Sequence, residues 1–184
     1  MLRILGIAGS LRRGSFNRQL LGVAQQLTPP DTSFVVFERL GDLPHYNADI
    51  DGPEAPGAVG ALRDAIRECE GLVIASPEYN YSIPGVLKNA IDWASRPPAT
   101  SPLTGKPILL MGASTGLGGT ARAQLALRQA FVFTKSYVLP APEILVARAA
   151  EKFAADGTIS DQATLEFIRG GLARLSEFAR KLSS

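Results

Sequence analysis

The stretch "LRILGIAGSLRRGSFN", residues 2–17, joins a short apolar run to a polar loop. Its apolar run, Arg3–Ala8, is brief and rich in isoleucine, which is typical of a β-strand covered on both faces. From about Asn17 to Leu27, leucines and alanines recur at helical spacing. The stretch therefore predicts a strand, a loop at the strand's carboxyl end and then a helix.

The same alternation continues along the chain. Apolar runs predict further strands at Ser33–Glu38, Gly71–Ser76 and Pro107–Ser114, and a short one within residues 136–146. Amphipathic stretches predict helices at Ala58–Glu70, Val86–Ser95 and Thr120–Phe133. A last helix, capped by Ser160 or Asp161, carries along one face Leu165, Ile168, Leu172, Leu175 and Leu182. Strands that alternate with such helices form βαβ units with right-handed crossovers. We therefore expect an α/β fold, a flavodoxin-like three-layer sandwich with a five-stranded parallel sheet of order 2-1-3-4-5, made by residues 1–184 as a single domain.

Composition excludes several classes of function. The formal net charge is +2 with no clustered basic face, which argues against a nucleic-acid partner. Cys69 and His45 are the only residues of their types, so neither an internal disulfide, a zinc motif nor a histidine-based triad is expected, and we predict no metal site. No signal-peptide pattern and no apolar stretch of roughly 20 residues occur, so we expect a cytoplasmic protein without membrane insertion.

Three polar stretches follow strands that lie near the centre of the predicted sheet. In such sheets, ligands bind beyond the carboxyl ends of the strands, where the strand order reverses, here between the first and third strands. The first loop, "GSLRRGSFN" (residues 9–17), and the second loop, "SPEYNYSIPG" (residues 76–85), follow those two strands. The third loop, "GASTGLGG" (residues 112–119), follows the fourth strand beside them. We expect the three loops to form one site.

The composition of the first loop favours a phosphate. A phosphate at a helix N-terminus meets free backbone N–H groups and the positive end of the helix dipole. Ser10, Ser15 and Asn17 can donate hydrogen bonds, and Arg12 adds charge-assisted donors. A simpler interpretation stays open, in which Ser15 or Asn17 only caps the helix and the arginines are solvated.

Two other phosphate motifs do not fit. A P-loop requires a Gly-Lys-Ser/Thr sequence at the helix start, whereas here Ser15 and Phe16 follow Gly14. Residues 116–121 match G-x-G-x-x-A, but no acidic residue stands about 20 positions further on to hold a ribose. We interpret these glycines as a tight turn that lines the same site, and a dinucleotide site remains the weaker alternative.

The second loop indicates a flat ring system. Tyr79 and Tyr81 offer apolar faces with polar tips, and backbone N–H groups of a proline-stiffened loop suit the polar edge of a flavin. A carboxylate facing a flavin would oppose its anionic reduced form, so we expect Glu78 to point away or to pair with a cation. Alternatively, the tyrosine rings only plug the edge of the sheet.

Together, "GSLRRGSFN" and "PEYNYSIPGVLKNAIDW" resemble the NADPH-dependent FMN reductase family, specifically its chromate- and quinone-reducing branch. The segments "LPHYNADI", "LTGKP" and "GGTARAQLALRQ" extend the resemblance over roughly residues 2–146. The resemblance implies non-covalent FMN and transfer of two electrons from NAD(P)H to quinones, free flavin, azo compounds or metal oxyanions such as chromate. It also implies a homodimer or homotetramer with the pocket at a subunit interface.

The resemblance also assigns roles to matching positions. The phosphate would be held by Ser10, Arg12, Ser15, Phe16 and Asn17, and the ring system would be lined by Pro77, Glu78, Tyr79, Asn80 and Tyr81, with Ser114 closing the site. Since the flavin carries the redox chemistry, we expect no catalytic acid or base in the protein, and one shared face predicts ping-pong kinetics.

A flavodoxin-like electron carrier without substrate turnover is the alternative function. Such carriers typically present a strongly acidic face, and the net charge of +2 argues against this alternative. A phospho-receiver would need an aspartate after the third strand, and "LVIASPEYN" has none.

Among single residues, we expect Cys69 and Trp93 to be buried and His45 to be exposed or at an interface. Arg122 and Glu143 either form an ion pair between subunits or are ordinary surface charges.

Overall fold

The computed structural model describes residues 1–183, and its centre is one parallel sheet. The strands are β1 (Leu2–Ala8), β2 (Thr32–Val36), β3 (Gly71–Ala75), β4 (Pro107–Ala113), β5 (Tyr137–Val138) and β6 (Ile144–Val146). They are ordered β2-β1-β3-β4-β5, β6 also pairs with β4, and every pairing is parallel. The predicted fold class and the order 2-1-3-4-5 are therefore confirmed.

Within residues 1–183, six α-helices accompany the sheet. They are α1 (Phe16–Gln26), α2 (Gly57–Glu68), α3 (Gly85–Ala94), α4 (Ala121–Thr134), α5 (Ala149–Lys152) and α6 (Gln162–Ser183). The predicted helices all form, with ends displaced by one or two residues, and α5 is an addition. Within residues 1–183, no helix is both long and apolar enough to cross a membrane.

Alternate side chains of the strands pack into two separate hydrophobic cores, one on each face of the sheet. Ile4 of β1 packs in a cluster with α1 and α6, whereas its neighbour Leu5 packs in a cluster with α2, α3 and α4. This alternation follows from the two-residue period of a strand that is covered on both faces. Cys69 and Trp93 are buried as predicted. Along the predicted apolar face of α6, Ile168, Leu172 and Leu175 are fully buried, whereas Leu182 in the last turn is 47% exposed.

The predicted fifth strand is split in two. Pro107 pairs with Tyr137, and Met111 pairs with Ile144, so four steps along β4 correspond to seven steps along the edge, three more. Pro140 lies in the looped-out segment and has no N–H to donate to a ladder. The edge of the sheet is therefore two short strands joined by a loop.

The loop after β2 packs on α3. The carbonyl of Pro44 accepts hydrogen bonds from Trp93 Nε1 and Asn89 Nδ2, both at 2.8 Å. Asn89 Oδ1 accepts the Tyr46 N–H at 2.7 Å, and the Tyr46 and Trp93 rings meet edge to face with centroids 4.9 Å apart. His45 projects into solvent beside them. The segments "LPHYNADI" and "NAIDW" thus bind one another.

Candidate functional site

A cleft of about 220 Å³ opens where β1, β3 and β4 end. Its lining comes from all three loops and consists of Ser10, Arg12, Ser15, Phe16, Asn17, Pro77, Glu78, Tyr79, Ala113, Ser114 and Thr115. Asn80 and Tyr81, which were expected to line the site, lie outside this lining. Ala113 and Thr115 also line the cleft but are not among the residues predicted from the sequence. Their position on either side of Ser114, at the end of β4, is the feature that could have indicated them.

The first loop ends in a capped helix. Ser15 is the N-cap of α1, and its Oγ accepts the N–H groups of Asn17 at 3.2 Å and Arg18 at 3.4 Å. Among residues 1–183, the N–H groups of Arg13, Gly14 and Phe16 have no hydrogen-bond partner. Since the Ser15 hydroxyl can still donate its own hydrogen, capping leaves this corner with several free donors.

Arg12 lies across the first loop. Its Nη2 donates to the Gly14 carbonyl at 2.9 Å, and its guanidinium carbon lies 5.9 Å from the centroid of the Phe16 ring. Phe16 in turn packs on Phe153, with ring centroids 5.3 Å apart. The Arg12 guanidinium is thus held against the first loop, in the lining of the cleft.

Asn17 is bound to the end of β4. Its Nδ2 donates to the Ala113 carbonyl and its Oδ1 accepts the Ala113 N–H, both at 2.9 Å. Its side chain is buried within the protein and both of its polar atoms are engaged. Asn17 therefore joins the first loop to the third loop, and the second hydrogen of its Nδ2 has no hydrogen-bond partner among residues 1–183.

The second loop contains a tight turn at residues 79–82, which we call the tyrosine turn. Tyr79 and Ser82 exchange backbone hydrogen bonds of 3.0 and 2.9 Å, and Asn80 and Tyr81 have φ values of 49° and 65°. This pattern is a type I′ turn, in which asparagine is common and a bulky tyrosine is rare. The turn directs Tyr79 toward the cleft, where its hydroxyl lies 3.4 Å from Ser10 Oγ, and carries Tyr81 away from it.

The carboxylate of Glu78 is bound to the start of α4. Its Oε2 accepts the N–H groups of Arg122 at 3.0 Å and Ala123 at 3.2 Å, and its Oε1 lies 3.2 Å from Arg122 Nη1. The expectation that Glu78 pairs with a cation is confirmed. Within the described chain, Arg122 forms its ion pair with Glu78, and an ion pair of Arg122 with Glu143 between subunits stays a prediction.

The glycines of the third loop do not line the cleft as expected. The lining residues Ala113, Ser114 and Thr115 precede them, and Gly119, with φ of 57°, turns the chain into α4. At the start of this loop, a Cβ on Gly112 would lie 2.4 Å from the Ser76 carbonyl oxygen and 2.1 Å from Thr120 Oγ1. Only glycine permits this approach of the second and third loops.

Comparison with known proteins places the site in a family context. Residues 2–151 match the family model described as NADPH-dependent FMN reductase. The chain is 45% identical to the NAD(P)H-dependent FMN reductase of Pseudomonas aeruginosa, over 98% of this chain and 97% of that protein. It is 40% identical to the quinone reductase of Escherichia coli strain K12, again over 98% of this chain and 97% of that protein.

The fold of this chain is similar to that of a solved structure over almost its whole length. A flavoenzyme described as an NAD(P)H:(acceptor) oxidoreductase, from Paracoccus denitrificans, superposes with a TM-score of 0.89 at 36% identity. The match covers 98% of each chain. An azoreductase from Bacillus anthracis, at 19% identity and a TM-score of 0.61, shares the fold.

Proposed function

The chain belongs to the NADPH-dependent FMN reductase family, and from this membership we propose that it binds FMN and uses NAD(P)H to reduce quinones. The observation that carries the proposal is the set of free donors at the start of α1, in a cleft at the carboxyl ends of β1, β3 and β4. Such a position is where parallel α/β sheets bind nucleotide ligands.

The residues present fit a phosphate monoester. Free N–H groups at a helix N-terminus, a serine hydroxyl and a guanidinium are the donors that a dianionic phosphate requires. The N–H groups of Arg13, Gly14 and Phe16, the Ser15 hydroxyl and the Arg12 side chain supply them. Ser10 lines the cleft and accepts the N–H of Arg12, so it supports the loop that would hold the phosphate. Asn17 contributes by fixing the first loop to the backbone of Ala113.

The part of the cleft lined by the second loop suits a flat ring. Pro77 and Tyr79 present apolar surface, and the 3.4 Å approach of the Tyr79 hydroxyl to Ser10 orients the tyrosine toward the first loop. Ser114 contributes to the lining from the third loop. We assign the phosphate to the first loop and the ring system to Pro77, Glu78 and Tyr79, with Asn80 and Tyr81 shaping the turn that bears them.

Bound FMN would supply the redox chemistry, by accepting a hydride from NAD(P)H and passing two electrons to an acceptor. The protein residues would bind and orient it. Both substrates would use this one site in turn, which would lead to ping-pong kinetics. The same site would take free flavin, azo compounds and metal oxyanions such as chromate as further acceptors.

We also propose that the chain forms a homodimer or homotetramer through the outer face of α4. Leu125, Val132 and Phe133 of this helix are 62%, 75% and 60% exposed. Three large apolar side chains on one exposed helix face are typical of a surface that a partner covers. Sedimentation of the wild type against Val132→Glu tests this assignment, since a charge on this face should yield monomers.

The decisive experiment is a reductive titration of the purified protein. We expect a flavin absorption band that is released as FMN on heating, bleached by NADPH without oxygen and restored by benzoquinone. Initial rates at several quinone concentrations should give parallel double-reciprocal lines. A flavin band that NADPH cannot bleach would support the electron carrier, and a protein that takes up no FMN would overturn both functions.

A further inference from the structure

Arg122, the second residue of α4, makes three different contacts with the segment that borders the cleft. Its N–H and its guanidinium bind the two oxygens of the Glu78 carboxylate at 3.0 and 3.2 Å. Its guanidinium carbon also lies 4.3 Å from the centroid of the Tyr81 ring. One residue outside the cleft lining therefore holds both ends of residues 78–81.

The surroundings of Glu78 neutralise its charge. The side chain of Glu78 is only 13% exposed, and its oxygens accept two N–H groups at the N-terminus of α4 as well as the arginine. A helix N-terminus and a guanidinium both stabilise a carboxylate. The negative charge of Glu78 is thus compensated by the Arg122 guanidinium and by the N–H groups at the start of α4.

Tyr81 depends on Arg122 for its position. Its ring is 71% exposed and its backbone is left-handed, a conformation that a bulky residue adopts only when its surroundings favour it. The guanidinium stacked on the ring is a cation–π contact that favours this conformation. Because Tyr81 lies between Tyr79 and Ser82, whose backbones pair with one another, the contact also fixes the direction of Tyr79.

We propose that Arg122 is a positioning residue for the flavin, which holds the tyrosine turn in place and sets how tightly the site binds reduced FMN relative to oxidised FMN. The proposal rests on the FMN binding proposed above. Reduced flavin carries a negative charge at its ring. An uncompensated Glu78 carboxylate would therefore weaken the binding of reduced FMN more than that of oxidised FMN.

The test compares Arg122→Gln, Arg122→Lys, Glu78→Gln and the double variant Arg122→Gln/Glu78→Gln. Two quantities are measured on each: the Kd of oxidised FMN for the apoprotein, from flavin fluorescence, and the midpoint potential of bound FMN, from equilibration with indicator dyes. For Arg122→Gln we expect a roughly tenfold loss of affinity for reduced relative to oxidised FMN, which corresponds to a midpoint potential about 30 mV more negative.

The other variants separate charge from structure. Arg122→Lys keeps the charge, so its potential should stay near that of the wild type. Glu78→Gln should shift the potential in the positive direction, and the double variant should return it close to the wild-type value. A matched control is Arg169→Gln, which removes one positive charge from the exposed surface of α6 and should leave both quantities unchanged.

The outcomes distinguish this inference from the proposed function. Wild-type protein that binds no FMN would end the proposed function itself. Wild-type protein that binds FMN, with an Arg122→Gln variant of unchanged Kd and potential, would overturn the positioning role alone. A double variant that keeps the full shift of Arg122→Gln would overturn the neutralisation of Glu78, because the effect would then not pass through that carboxylate.

Discussion

The side-chain amide of Asn17, at the second position of α1, exchanges two hydrogen bonds of 2.9 Å with the backbone of Ala113, the last residue of β4. The two residues are separated by 96 positions in the chain. This pair of bonds continues the backbone pairing of the sheet beyond the end of the strand. It fixes the distance between the first and third loops, and so the width of the cleft.

Replacement of Asn17 by alanine should destabilise the protein. The buried N–H and carbonyl of Ala113 would both lose their partner, and each unsatisfied group costs roughly 1–3 kcal/mol. We expect the free energy of unfolding in urea, measured on the apoprotein, to fall by about 2–4 kcal/mol. Asn47→Ala is the control, because Asn47 is exposed and accepts only the N–H of Asp49. Equal midpoints for the two variants would contradict the structural role of Asn17.

Ser15→Asp should separate capping from phosphate binding. Aspartate is as good an N-cap as serine, so stability should remain close to that of the wild type. A like charge near the phosphate costs on the order of 1–4 kcal/mol. FMN binding should therefore weaken by roughly tenfold or more, as measured by fluorescence titration. Ser15→Asn is the neutral control, and if it bound FMN as poorly as Ser15→Asp, charge would not be the cause.

Gly112→Ala should be poorly tolerated. The new Cβ would lie 2.4 Å from the Ser76 carbonyl oxygen, which belongs to the backbone and cannot rotate away. Overpacking of this kind costs about 1–3 kcal/mol, and we expect urea unfolding to show a loss of at least this size. Gly60→Ala in α2 is the matched control. Nothing lies within 4 Å of its added Cβ, so the change should stabilise by up to about 1 kcal/mol.

The Cys69 thiol should be inert in the folded protein. Burial raises the pKa of Cys69 from its ordinary value of 9.0 to about 11. Thiolate is the reactive species, so native protein at pH 8 should react with 5,5′-dithiobis(2-nitrobenzoate) only as fast as it unfolds. Because this is the sole cysteine, the assay reports one site. Rapid reaction without unfolding would contradict the burial of Cys69.

The same pKa has a consequence for stability. A folded-state pKa above the unfolded value means that the folded protein holds the proton more tightly, so the contribution of Cys69 is complete below about pH 9. It should be lost as the pH rises from about 9 to 11. The difference in unfolding free energy between wild type and Cys69→Ala, measured across this range, should shrink with pH. A constant difference would contradict the shift.

The fold was largely predictable because its signals are local. The apolar runs and the helical spacing of residues such as Leu20 and Leu21 each depend on neighbours in sequence. Helix ends were displaced because capping depends on single hydrogen bonds, as at Ser15. The apolar spacing of α6 continues to Leu182, but that residue is 47% exposed, because burial depends on packing partners that the spacing does not specify.

The site was predictable only in part, for a related reason. The meeting of the three loops follows from the strand order, and the pairing of Glu78 with a cation follows from charge. The engagement of the Asn17 amide depends on Ala113, a partner that no local pattern indicates. The outward direction of Tyr81 depends on the sign of two φ angles, which an asparagine–tyrosine pair does not specify.

The interrupted edge strand has a consequence for redesign of the molecule. Between β5 and β6 the chain carries three residues more than a continuous strand would need, while both flanking pairs on β4 keep their parallel register. The pairings of β5 and β6 with β4 therefore do not depend on the length of the chain that joins β5 to β6. A peptide tag or a small reporter domain inserted between Leu139 and Glu143 would extend a loop that already leaves the sheet, and the cofactor cleft at the ends of β1, β3 and β4 would keep its width.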